Sequence, residues 1–273
     1  MFRHSEVFPG VFHITDAMGV SFTLVEGKEK AVLFDTGYGT EDAGTYVKTL
    51  TDKPVKVYLS HGHHDHMLGA RWFEKTRLCK EDMDEFLLRT GEGQRKKVMN
   101  QAAERGVPVP DDFLDALIPL PDAISFRDHT GGFESLEEEL GGMTVKVIHV
   151  PGHTPGSIVM YVAEYGLILT GDDWNPCTWM WFPTSMDAQG WRENMRTLVR
   201  ALEAEGKEIR KVLCSHQPMA REGKELKEYL AYMTDERIRE APAVDMGAPI
   251  DTHQIVKEPE GWVLVFDRAK VRT

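Results

Sequence analysis

The sequence predicts a layered α/β fold, on three observations. Short runs of β-branched and aromatic residues alternate with stretches of helix-forming composition along most of the chain. The 273 residues carry 41% hydrophobic and 28% charged residues, ordinary for a globular α/β unit of this size. Five candidate strands end directly in an aspartate or a histidine-bearing turn: at Asp35, His61, the turn of His153, Asp172 and His216. Functional groups of layered α/β folds gather at strand ends, where loops converge while the sheet stays rigid.

Taken in order, Val11–Thr15, residues 22–26 and Ala31–Phe34 read as strands separated by glycine-containing turns. Residues 41–50 have helical composition. Residues 55–60 form an apolar strand that runs into His61, and residues 67–75 suit a short helix. From about residue 80 to 130 the character changes. KEDMDEFLLRT and GQRKKVMNQAAERG are helix formers with glycine and proline between them, which predicts a helical insert in a single domain spanning 1–273. The acidic run at 134–139 reads as a solvated face. Residues 144–150 are a strand leading into PGHTPGS. Residues 157–163 and 167–170 form a hairpin through Glu164-Tyr165-Gly166 that ends at Gly171-Asp172. Residues 190–205 are helical, 211–215 a strand, 223–240 a helix and 262–266 a closing strand.

Charge and cysteine content narrow the class. Lys plus Arg is 32 and Asp plus Glu is 44, a net charge of −12. That balance argues against nucleic acid or an anionic membrane as partner and leaves a small-molecule substrate. Cys79, Cys177 and Cys214 are too few and too scattered for a disulfide framework, and no two have the spacing of a thiolate metal site. The opening MFRHSEVFPGVFHIT lacks the apolar stretch of an export signal, and no apolar run reaches the roughly 18 residues of a membrane span. The expected location is a reducing cytoplasm.

The segment SHGHHDHMLG holds four histidines and an aspartate within six positions. Imidazole and carboxylate are ligands for zinc and its first-row neighbours. A tight loop can aim His61 and His63 at one ion and Asp65 and His66 at a second, with His64 as a spacer. Two ions need further ligands, and His153, Asp172 and His216 each follow a predicted strand. The sum is five histidines and two carboxylates, a nitrogen–oxygen set suited to two Zn2+, with Fe or Mn as alternatives. His4, His13, His129, His149 and His253 are read as ordinary surface or core histidines.

These motifs resemble the metallo-β-lactamase superfamily, in its glyoxalase II-like branch. FDTG at Asp35, HGHHDH at His61 to His66, PGHTPGS at His153, TGD at Asp172 and SHQ at His216 occur in the family's order. The resemblance implies a four-layer αββα sandwich with its metals in a cleft at one edge. It implies that His61, His63 and His153 hold the first metal, that Asp65, His66 and His216 hold the second, and that Asp172 bridges them. It favours Asp172, directly after Gly171, over Asp173. Asp35 is expected to support the ligands through hydrogen bonds rather than bind metal. The activity implied is a dinuclear metal-dependent hydrolase using a metal-bridging hydroxide on a thioester, ester or lactone carbonyl, with Asp65 and Asp172 at the reacting centre. A mononuclear iron oxygenase like the persulfide dioxygenases and a phosphodiesterase are the alternatives.

The stretch after the bridge is the clue to substrate. DWNPCTWMWF places Trp174, Trp179, Trp181 and Phe182 within nine residues, with three of the chain's six tryptophans. They read as an aromatic wall for an apolar or planar group, against a packed core or a homodimer contact. Arg89, Arg95, Lys96 and Lys97 in the insert read either as contacts for an anionic substrate or as a solvated helix face.

Overall fold

Two seven-stranded sheets lie face to face in the computed structural model, which describes residues 1–273. The first sheet runs in chain order: β1 (Arg3–Phe8), β2 (Val11–Thr15), β3 (Ser21–Glu26), β4 (Ala31–Phe34), β5 (Val55–Tyr58), β6 (Thr76–Leu78) and β7 (Asp122–Ala123). The second contains β8 (Asp128–Thr130), β9 (Phe133–Glu139), β10 (Thr144–His149), β11 (Ile158–Val162) and β12 (Leu167–Leu169), and continues through β14 (Lys211–Leu213) to β15 (Arg221–Glu222). A third sheet of three strands joins β13 (Cys177–Met180), β17 (Trp262–Asp267) and β16 (Thr252–Lys257).

The two-residue period of a strand decides which side chains meet. In β4, Val32 and Phe34 face the sandwich interior while Ala31 and Leu33 face outward. In β11, Ile158, Met160 and Val162 face in, and Val159 and Tyr161 face out. Both faces are covered, so these strands read as unbroken apolar runs. Helix α1 (Ala43–Leu50) closes the outer face of the first sheet with Ala43 and Val47. The outer face of the second is closed by α5 (Ala188–Ala204), α6 (Gly223–Tyr232) and α7 (Asp235–Glu240), through Trp191, Met195, Leu198, Leu226, Tyr229 and Ile238. The layers are therefore α, β, β and α, as expected. No helix is long and apolar enough to cross a membrane.

Within residues 80–130, a 3-10 turn over Lys80–Asp82 leads into α3 (Met83–Thr90) and α4 (Glu92–Glu104); loops and the short strands β7 and β8 make up the rest. Phe86, Val98, Ala102 and Phe113 from this region share a separate apolar cluster with Leu59, Met67 and Leu68. The predicted helix at 67–75 is instead a single turn, α2 (His64–Met67), followed by a 3-10 helix over Leu68–Trp72. The predicted helix at 223–240 is broken at Met233-Thr234, where the Thr234 hydroxyl accepts the Arg237 N–H and starts α7. The acidic run at 134–139 is β9, an interior strand of its sheet. Ser135 and Leu136 are buried, and Glu138 turns to accept the Lys56 ammonium at 2.6 Å and the Tyr58 hydroxyl.

Parallel pairing positions the functional loops. β4 and β5 run parallel with Phe34 opposite Tyr58, so Asp35 and the Ser60-His61 turn leave the sheet side by side. β12 and β14 run parallel with Leu169 opposite Leu213, which sets Asp172 beside His216. β10 and β11 are antiparallel and close over the loop of His153.

Candidate metal centre

All seven predicted ligands converge at this edge, in two groups. His61, His63 and His153 form one group; Asp65, His66, Asp172 and His216 form the other. In the first group His63 Nδ1 lies 3.0 Å from His153 Nε2. In the second, His66 Nε2 lies 3.3 Å from both Asp65 Oδ2 and Asp172 Oδ2. His216 Nε2 is 3.1 Å from Asp172 Oδ2 and 3.7 Å from Asp65 Oδ2. Asp172 Oδ2 also stands 3.7 Å from His153 Nε2, so one carboxylate oxygen borders both groups. Ligand atoms of a tetrahedral zinc site lie roughly 3.3 Å apart when each is about 2.0–2.1 Å from the metal. The observed spacings bracket that value.

The donor atoms are prepared for a cation. His61 Nε2, His66 Nε2 and Asp172 Oδ1 are buried without a hydrogen-bond partner. Each such atom costs about 1–3 kcal/mol unless something else satisfies it. Burial, reinforced by His66 and the other rings, holds His61 well below its ordinary pKa. Burial and His63 push His153 down to about 3. Both rings are therefore neutral, as a metal ligand must be. Burial acts against charge on Asp172, yet His216 and His66 hold its carboxyl well below the usual range. Burial opposes charge on His66 too, and the Asp65 and Asp172 carboxylates raise it well above its ordinary value.

A second layer aims these ligands. Asp35 stands outside both groups and contacts them through hydrogen bonds. Its Oδ1 accepts the Ser60 N–H at 2.6 Å, and its Oδ2 takes the Ser60 hydroxyl at 2.8 Å and faces His66 Nδ1 at 3.1 Å. Ser60 Oγ in turn contacts His61 Nδ1 at 2.9 Å. One carboxylate thus orients a ring in each group. Asp35 is the one non-glycine residue with positive φ, at 70°, strain that turns it toward both loops. His153 Nδ1 meets the Trp179 carbonyl at 2.7 Å. A carbonyl only accepts, so Nδ1 carries the proton and Nε2 is free to coordinate. Asp173, the competitor of Asp172, belongs to neither ligand group and accepts the His153 N–H at 2.8 Å.

Other contributors escaped the sequence reading. Asp82 is fully buried and accepts the Gly62 N–H at 2.8 Å, the Thr154 hydroxyl at 2.6 Å and the Gly156 N–H at 2.6 Å. It pins together the loops that carry His61, His63 and His153. A Cβ on Gly156 would sit 2.7 Å from the Asp82 side chain, and one on Gly62 2.8 Å from Glu85 Cβ, so both turns require glycine. Glu85, from α3, stands 3.7 Å from His63 Nε2; this ring and Arg89 hold its carboxyl down at about 2, against burial. His13, read as an ordinary histidine, ties Thr23 at 2.9 Å to the Gln217 carbonyl at 2.8 Å, just past His216.

The aromatic segment divides. Phe182 stands edge-on to His63 and His153, with ring centroids 4.7 and 5.3 Å away. Trp181 stacks on Phe182 at 4.6 Å, and Trp179, 40% exposed, lies 5.9 Å from Trp181. Trp174 is a correction. It is fully buried in the cluster under α5 and α6, 6.0 Å from Tyr229, and cannot line a pocket. The reason is β13, which follows directly on the Trp174 turn. Its pairing with β17 carries the chain out of the core between Trp174 and Trp179. In the insert, Arg89 lies 5.9 Å from the Phe182 ring and 3.3 Å from Glu85. Arg95 instead donates to the Phe113 and Ala116 carbonyls, and Lys96 pairs with Glu92 on the surface.

A family model described as the metallo-beta-lactamase superfamily matches residues 15–216. A linear primary-alkylsulfatase from Pseudomonas sp. is 26% identical over 170 residues, 55% of this chain and 32% of that protein. The acyl-coenzyme A thioesterase MBLAC2 from Gallus gallus is 22% identical over 210 residues, 64% of this chain and 69% of that one. Among solved structures, the stereoselective inverting sec-alkylsulfatase Pisa1 from Pseudomonas sp. superposes with a TM-score of 0.63 at 18% identity, over 87% of this chain and 42% of its own. The matched stretch is thus about a third of the linear alkylsulfatase and less than half of the solved one. At that identity the superposition speaks for the fold.

Proposed function

The chain belongs to the metallo-beta-lactamase superfamily, as the match over residues 15–216 shows, and from that premise we propose that it is a dinuclear metal-dependent hydrolase acting on a thioester or a related ester or lactone carbonyl. The position of Asp172 carries the reading. Its Oδ2 lies 3.1 Å from His216, 3.3 Å from His66 and 3.7 Å from His153, a position between the two groups that supports a bridging role. A mononuclear oxygenase would leave the four-residue second group without a role. All seven donors are nitrogen or oxygen, which suits Zn2+, with Fe or Mn as other occupants.

His61, His63 and His153 would hold one divalent ion and Asp65, His66, Asp172 and His216 a second, which when bound would supply Lewis acidity and lower the pKa of water from about 15.7 to roughly 7. The chain's own residues do the rest. Asp35 and the Trp179 carbonyl fix the rings. The Asp65 and Asp172 carboxylates border the reacting position and would orient the attacking water there. Phe182, Trp181 and Trp179 bind the apolar part of the substrate beside the first group and exclude water from that side. With its three cysteines unpaired, the chain suits a reducing cytoplasm.

The similarity to an acyl-coenzyme A thioesterase supports a thioester. The similarity to an alkylsulfatase supports sulfate-ester hydrolysis as the second reading. Zinc-loaded protein screened against acyl thioesters, lactones, alkyl sulfates and phosphodiesters separates them, with oxygen uptake on a persulfide as the oxygenase control. Thioester turnover is expected. Turnover of alkyl sulfates alone moves the assignment to the second reading, and oxygen uptake with one ion at the centre overturns both.

A further inference from the structure

A thiol, a carboxylate and an imidazole outside both ligand groups meet behind the first of them. Cys79 directly follows β6, Glu81 lies two residues on, and His149 is the last residue of β10. The two sheets end at the same edge, so residues 70 positions apart come together; one ligand atom of each lies within 4.8 Å of the others. Cys79 is 1% exposed, and its Sγ donates to Glu81 Oε2 at 2.8 Å. His149 is 9% exposed, and its Nε2 faces the Pro155 carbonyl at 2.8 Å. Nε2 therefore carries the proton and Nδ1 presents a lone pair. That lone pair makes no hydrogen bond; Glu134 Oε2 stands 3.6 Å from it.

We infer that Cys79, Glu81 and His149 form a separate site for a thiophilic divalent transition metal such as Zn2+, with Glu134 in reach as a fourth ligand. Thiolate, imidazole and carboxylate together select such an ion over Mg2+ or Ca2+. Binding forms a sulfur–metal bond, breaks the Cys79–Glu81 hydrogen bond and releases the thiol proton to solvent, with no change of oxidation state. A ligand imidazole whose other nitrogen donates to a carbonyl is the usual arrangement at such sites. Here that carbonyl belongs to Pro155, two residues past His153. The ion would link the ends of β6 and β10 and brace the loop of the first ligand group.

Cobalt(II) is the probe, because only a cysteine ligand adds an intense sulfur-to-cobalt charge-transfer band in the near ultraviolet. Metal-free protein titrated with Co2+ is expected to show that band, with one more equivalent bound than Cys79→Ser takes up. Cys79→Ser should lose the band and keep the visible bands of cobalt bound through nitrogen and oxygen. Cys177→Ser and Cys214→Ser should keep it. His149→Gln, whose amide can still donate to Pro155, should weaken the cobalt that gives the band at least about tenfold. No band at saturating cobalt, a band that survives Cys79→Ser, or unchanged affinity in His149→Gln overturns the site. Visible bands missing from every variant would count against the dinuclear centre instead.

Discussion

The Asp82 carboxylate accepts the Thr154 hydroxyl at 2.6 Å across 72 residues of sequence, and it holds two backbone N–H groups in the same grip. Asp82→Asn replaces one acceptor oxygen with a donor that faces a donor. The expected loss is about 2–4 kcal/mol of folding stability, counted as one or two buried groups left unsatisfied. Metal affinity of the first ligand group should fall about 10–100-fold, because its loops lose their common anchor. Affinity of the second group should hold. Denaturant unfolding and competition with a coloured chelator measure the two effects; unchanged first-group affinity would remove Asp82 from the centre.

Adjacent aspartates should fail in different ways. Asp172→Ala removes the proposed bridge, so the nitrogen–oxygen groups should bind fewer than two ions and activity should fall at least about 100-fold. Asp173→Ala leaves the ligands in place but strands the His153 N–H, at a cost of about 1–3 kcal/mol in stability. Metal analysis beside thermal unfolding tells them apart. Full metal content in Asp172→Ala would show that the bridge is misplaced.

Two tryptophans of one segment should likewise separate. Trp174→Ala empties a packed cluster and is expected to cost about 3–5 kcal/mol. Trp181→Ala should leave stability almost untouched and raise KM about tenfold for substrates with an apolar acyl group. If Trp181→Ala alters KM equally for acetyl and long-chain substrates, the stack does not read the apolar group.

Asp16 supplies a pH dependence independent of the ligands. Burial raises its pKa to about 6, although the backbone N–H groups of Tyr38 and Val20 pull the other way. The folded protein therefore holds this proton more tightly than the unfolded chain, where the value is near 3.8. The resulting stabilisation is complete below about pH 4, declines as pH rises and is gone above about pH 6; its full size is on the order of 3 kcal/mol. In metal-free protein, wild type should lose stability relative to Asp16→Asn between pH 4.5 and 7. A flat difference over that window would refute the raised pKa.

The candidate ligand set was legible in the sequence because its chemistry is local: each motif is short, and each sits where an apolar strand stops. The central strands were legible for a related reason. Burial on both faces leaves continuous apolar runs such as AVLF and IVMYV. Strands with polar faces were not. β1, RHSEVF, is almost wholly exposed, and β9, FESLEEE, makes sense only once Lys56 and Tyr58 lie opposite Glu138. Supports that act through the backbone left no trace either. The Trp179 carbonyl would serve His153 whatever side chain Trp179 carried, and nothing in DWNPCTWMWF separates the buried Trp174 from the half-open Trp181.

That carbonyl belongs to β13, where Trp179 is paired with Val265 of β17. The last strand lies outside residues 15–216, the part that carries the family's signature, yet its ladder sets where a histidine proton is tethered. A one-residue slip in that ladder would turn Trp179 inward and withdraw the tether from His153. The register of β17 thus bears on the candidate centre from outside it. A library randomised at Val265 and its neighbours is expected to lose metal binding as a library of the candidate ligands would, although none of its positions is a candidate ligand.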